Sequence, residues 1–66
     1  MNQLQTQILT ILDNKTAPIA LKELLVDLTI SNKYDVLDDL WFLAANGHVK
    51  FEENWTLSRA QDGAYF

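Results

Sequence analysis

The apolar positions of this chain follow helical spacing for most of its length and alternate near its end. Leu4, Ile8, Leu9, Ile11 and Leu12 share one side of a helical wheel, with Gln3, Gln5, Gln7 and Thr10 elsewhere. That pattern predicts an amphipathic helix over 2–14. The stretch DNKTAP supplies turn formers, and Pro18 biases Ala17 away from helical geometry. PIA is long enough for one brief strand. Leu21, Leu24, Leu25 and Leu28 then mark a second helix near 20–28. Thr29 and Ile30 make a tight connection, and Ser31 is the expected N-cap of a third helix running to about Ala45. Asn46-Gly47 ends that helix, with Gly47 suited to the left-handed cap position. HVKF and WTL around the polar turn EEN read as a β-hairpin. Residues 58–66 have no clear period and are read as a mobile tail, with Tyr65 and Phe66 available to dock on the body. The expectation is a single domain over 1–66, mainly α, in the order helix, short strand, helix, helix, β-hairpin.

Composition narrows this picture. At 66 residues one core is barely sufficient, and with no Cys neither disulfides nor thiolate–metal sites reinforce it. The core must come from the 48% of residues that are hydrophobic, among them two Trp, two Tyr and three Phe. No apolar run approaches the roughly 18–20 residues of a membrane span, and the N-terminus lacks the basic opening of a signal peptide. An intracellular, cytoplasmic chain with no membrane partner is the resulting expectation. Nine acids against five bases leave a net charge of −4, the wrong sign for electrostatic capture of nucleic acid.

Ser31, Val36, Leu40, Leu43, Gly47 and Val49 stand at the spacing of a recurring family pattern. Through them residues 4–57 resemble a winged helix-turn-helix domain, whose third helix enters the DNA major groove in its DNA-binding members. The resemblance implies a helix–short strand–helix–helix–β-hairpin wing fold. For function it implies either a DNA reader or a protein-binding module, because the fold serves both. The stretch NGHVKFEEN is also similar to the turn and acid-rich wing of protein-binding members of the family.

On a wheel of roughly 100° per residue, Val36, Leu37, Leu40, Leu43 and Ala44 fall on one arc, with Tyr34 and Trp41 at its edge. The opposite side carries Asn32, Asp35, Asp38, Asp39 and Phe42. Phosphate contacts need cations or neutral donors, and an ionised carboxylate only accepts. Three acids offset by Lys33 alone would repel a duplex, and the wing turn adds Glu52 and Glu53. The acids are read either as a solvated face or as a negative surface for a basic partner. A cation site is disfavoured because no Gly-containing, oxygen-rich loop accompanies them. Phe42, set among these acids, is either an exposed anchor or a residue folded under the wing. Trp41 is read as a cap on the small core, and Trp55 as core packing against the third helix. His48, with no second His and no Cys, is read as structural or solvent-facing.

An enzyme is not expected: Ser31 reads as a cap, Ser58 sits in the tail, and neither a phosphate cradle nor metal-ligand spacing occurs. A chain this short also leaves little room for a pocket of about 300 Å³. Neither cofactor nor metal is expected. Two functional readings stay open. In the first, a regulatory or interaction module uses Asp35, Asp38, Asp39 and Phe42 to hold a basic or amphipathic protein segment. In the second, a small microbial or phage transcriptional regulator dimerises, through its first helix and the Trp41 edge, and presents Asn32, Lys33 and Lys50 to DNA. An acidic decoy for a DNA-binding protein is a smaller third possibility sharing the first reading's face.

Overall fold

Alternation in the last third of the chain and helical spacing before it resolve into three helices packed on a small antiparallel sheet. The computed structural model describes residues 1–15 and 18–60. Helix α1 spans Gln3–Asp13, strand β1 Ile19–Ala20, α2 Leu21–Leu28, α3 Tyr34–Ala45, β2 Val49–Glu52 and β3 Thr56–Arg59. A three-residue turn, Glu53–Trp55, joins β2 to β3. The layout is mainly α with a small sheet, in the winged-helix-like order expected. No helix among the described residues is long and apolar enough to cross a membrane.

The sheet order is β1-β3-β2, so the last strand lies in the middle. Leu57 is opposite Ile19 on one side and Phe51 on the other. Directly opposed residues share a face, so these three and Val49 form the apolar underside, while Lys50, Glu52 and Ser58 face outward. The helices cover that underside. Ile8 and Leu12 of α1, Leu24 of α2, Val36, Leu40 and Leu43 of α3, and Leu57 make up its fully buried centre.

Local chemistry sets the helix ends. Asn2 and Gln5 form a capping box on α1: Gln5 N–H donates to Asn2 Oδ1 at 2.8 Å and Asn2 N–H to Gln5 Oε1 at 3.1 Å. Thr29 closes α2 in the left-handed region (φ 57°), with Ile30 N–H reaching back to the Leu25 carbonyl at 2.9 Å. At the start of α3 the side chain that receives a backbone N–H is that of Asn32, from Tyr34 at 3.0 Å, rather than Ser31. The bond closes an Asx turn two residues on, and α3 begins at Tyr34, later than a Ser31 cap would require. Gly47 ends α3 at φ 80°, as its position predicts, with His48 N–H bonded to the Leu43 carbonyl at 2.8 Å.

The expected tail boundary at residue 58 is corrected. Ser58 and Arg59 belong to β3, and Ala60 N–H bonds to the His48 carbonyl at 3.0 Å. Arg59 fastens this end: its Nε donates to Asp13 Oδ1 at 2.9 Å and its NH1 to the His48 carbonyl at 2.8 Å. A cation there also suits the negative end of α1. No apolar period announces this strand end, because a salt bridge and backbone bonds hold it. Tyr65 and Phe66 lie outside the described residues.

Candidate interaction surface

Helix α3 presents three different sides, each set by its place around the axis. Val36, Leu40 and Leu43 point into the core. Tyr34 and Trp41 lie toward the hairpin. Asp35, Asp38 and Phe42 occupy the outer side, and Asp39 lies toward α1.

The structure separates the three acids. Asp39 Oδ1 accepts from Gln5 Nε2 at 2.8 Å and from Asn2 Nδ2 at 3.1 Å, so both side-chain amides of the α1 capping box end on one carboxylate oxygen. Gln5 is buried, and its amide would otherwise lack this acceptor. The negative charge also sits at the positive end of α1. Asp39 is therefore a fastener between α1 and α3. Helical spacing places it with the other acids, but only the packing of α1 shows what it touches. Asp39→Ala is expected to lower the unfolding free energy by about 1 kcal/mol, from the lost charge-assisted hydrogen bonds. Asp38→Ala, measured beside it in urea, is expected to stay within about 0.5 kcal/mol.

Asp35 and Asp38 are exposed and make no ion pair or side-chain hydrogen bond among the described residues. Asp35 lies in the first turn of its own helix, where a carboxylate is favoured by the helix dipole. Asp38 has no such local reason. Phe42 is 46% exposed between them and is not folded under the wing. Its carbonyl is capped by Asn46 Nδ2 at 2.8 Å, which ties the end of the helix without covering the ring. No group of three or more acids or histidines among the described residues is arranged to hold a metal ion.

The two tryptophans depart from their expected places. Trp41 is 55% exposed and lies against Phe51 of β2, with ring centroids 4.7 Å apart and planes tilted by 32°. It braces the hairpin and leaves one side open instead of closing the core. Trp55 is at the wing tip, 49% exposed, rather than packed in the core. The reason is register. Glu52 pairs with Thr56, so Trp55 is the last residue of the turn and not the first of the strand. Asn54 and Trp55 both have φ 58°, the pattern of a type I′ turn, and Thr56 Oγ1 donates to the Glu53 carbonyl at 2.7 Å.

Each residue proposed to read DNA has a partner within the chain. Asn32 caps Tyr34. The Lys33 ammonium lies 5.5 Å from the Tyr34 ring centre and 5.1 Å from that of Trp55. Lys50 approaches Glu52 at 3.9 Å on the outer face of the sheet. His48 is half-buried, and it is its backbone that serves, bonded to Leu43, Arg59 and Ala60. Away from α3, an open groove of about 360 Å³ lies between α1 and α2, lined by Thr6, Gln7, Thr10, Ile11, Asp27, Leu28 and Thr29. Its size exceeds what chain length suggests, as an open surface groove rather than an enclosed pocket. None of the candidate binding residues Asn32, Lys33, Asp35, Asp38, Asp39, Phe42 and Lys50 lines it. No family model, curated protein or solved structure matches the chain.

Proposed function

We propose that this chain is a non-enzymatic, winged-helix interaction or regulatory module of the cell interior. Its α3 holds a basic or amphipathic segment of a partner protein. The observation that carries the reading is Phe42, an aromatic ring 46% exposed on the same side of α3 as the unpaired carboxylates Asp35 and Asp38. An apolar anchor within a charged rim is the arrangement of a binding hot spot. Asp39 is left out of the contact set because its carboxylate is engaged with α1. The internal engagement of Asn32, Lys33 and Lys50, on a chain of net charge −4, weighs against the DNA-regulator alternative.

Amide-shift titration with a Lys-rich amphipathic peptide and, separately, a generic DNA duplex tests the reading. The peptide is expected to shift the amides of Asp35, Asp38 and Phe42. Phe42→Ala is expected to weaken it about tenfold while leaving the fold intact. The duplex is expected to shift nothing at about 20 mM or about 150 mM salt. Shifts at Asn32, Lys33 and the 50–54 wing that vanish at the higher salt would instead establish the DNA reader. Unfolding of Phe42→Ala would make Phe42 a core residue and end the anchor reading.

A further inference from the structure

The side of α3 that faces the hairpin carries a feature that the acidic outer side does not use. Trp41 on α3 meets Phe51 on β2, and Lys33, just before α3, lies against the rings of both Tyr34 and Trp55. Helix and hairpin therefore meet through one pair of rings, Trp41 and Phe51, and through Lys33, which bridges Tyr34 and Trp55, yet Tyr34, Trp41 and Trp55 are 69%, 55% and 49% exposed. Trp55 also adopts left-handed backbone geometry, where a side chain is strained and Gly would not be. A large ring held at an exposed, strained position points to contact with something outside the chain.

The polar groups on these rings define what that something is. The Tyr34 hydroxyl and the Trp41 and Trp55 indole N–H groups make no side-chain hydrogen bond among the described residues. The surface is thus aromatic and rich in donors, with the Lys33 ammonium against the Tyr34 and Trp55 rings. A partner helix laid on it has its own carbonyls already bonded, so only its side chains could accept from these donors. A polyproline II segment is apolar and leaves its backbone carbonyls free to accept. Spacing agrees. Tyr34 and Trp41 lie two helical turns apart, about 10.5 Å along the axis at roughly 1.5 Å per residue. A polyproline II helix repeats after about 9.3 Å, three residues at roughly 3.1 Å. Prolines three apart therefore repeat at close to the axial spacing of these two residues. Asp38 stands between those rings along α3, exposed and unpaired, where it can accept from an Arg or Lys beside the prolines.

We propose that the Tyr34–Trp41 row, walled by Phe51 and Trp55, is a docking site for a proline-rich segment in the polyproline II form carrying an adjacent basic residue. This rests on the reading of the chain as an interaction module, but places its contact on the hairpin side of α3 rather than at Phe42. The test is an amide-shift titration of the full chain with three peptides. One is a Pro-x-x-Pro peptide flanked by Arg, one the same peptide with Glu in place of Arg, and one a basic amphipathic peptide without proline. The Arg peptide is expected to bind saturably and to shift the Tyr34 and Trp41 amides and the Trp41 and Trp55 indole N–H signals. The Glu peptide is expected to bind about tenfold more weakly. Tyr34→Ala and Trp55→Gly are each expected to weaken the Arg peptide about tenfold. Val26→Ala, an exposed change on α2, leaves its binding as it was. Absence of binding by the Arg peptide up to about millimolar concentration overturns the inference. So do shifts confined to the groove around Thr6 and Thr10. If the amphipathic peptide alone binds, at Asp35 and Phe42, the interaction reading stands and this inference falls. If neither peptide binds, both fall.

Discussion

Leu40→Ala is expected to leave the domain close to unfolded at room temperature. Leu40 is fully buried on α3, in the same cluster as Ile8, Leu24, Leu43 and Leu57. Truncating a buried Leu costs about 2–5 kcal/mol, part from lost transfer energy and part from the cavity left behind. A domain of this size holds roughly 3–5 kcal/mol in total. The loss is therefore comparable to the whole stability. Among the described residues the core has nothing covalent to fall back on, since the chain has no Cys. In a thermal melt the midpoint is expected to drop by about 8–40 °C, at roughly 4–8 °C per kcal/mol. Val26→Ala removes a comparable apolar group from a residue 69% exposed, and is expected to move the midpoint little. A Leu40→Ala variant that melts with the wild type would mean that α3 does not pack as described.

The second large effect concerns Trp55 and reverses an ordinary preference. Elsewhere in a strand or helix, Ala is more stabilising than Gly by roughly 0.5–1 kcal/mol, because Gly loses more backbone freedom on folding. At position 55, φ is 58°, and a residue with a β-carbon there bears about 1–2 kcal/mol of steric cost. Trp55→Gly and Trp55→Ala both remove the indole and its contact with Lys33, so their difference isolates the backbone. Trp55→Gly is expected to be the more stable of the two by about 1 kcal/mol in urea unfolding. Equal stabilities, or Ala ahead, would mean that the wing tip is not left-handed at Trp55. If the order holds, the wing gains nothing in backbone stability from having Trp at its tip, and the exposed ring is explained by what it contacts. Trp55→Gly is then the well-folded variant with which binding is best tested.

Element order, helix limits within a residue or two, the brief strand at Ile19–Ala20 and the Gly47 cap were all legible before any coordinates. Periodicity decides such features locally, and turn chemistry punctuates them where only certain residues fit. The acidic side of α3 was legible for the same reason, because position around a helix follows from residue number. Spacing left open whether Phe42 is exposed or folded under the wing, and the structure shows it exposed. What periodicity does not carry is the identity of a neighbour from another element. Asp39 differs from Asp38 only in direction, and the approach of Asn2 and Gln5 makes one a fastener and leaves the other free. Arg59 looked like tail because its strand is held by Asp13 and the His48 carbonyl instead of by an apolar repeat. Trp55 looked like core because Trp usually is. A one-residue question of hairpin register put it at the turn, and in a strand one residue is the difference between faces. The sequence by itself determined which segments fold and which sides of them are apolar, since both follow from spacing along one chain. The tertiary structure alone decided which acids are spent on holding helices together and which aromatic rings stay open. Those outcomes depend on distances between residues far apart in the chain, and hydrophobic pattern does not encode them.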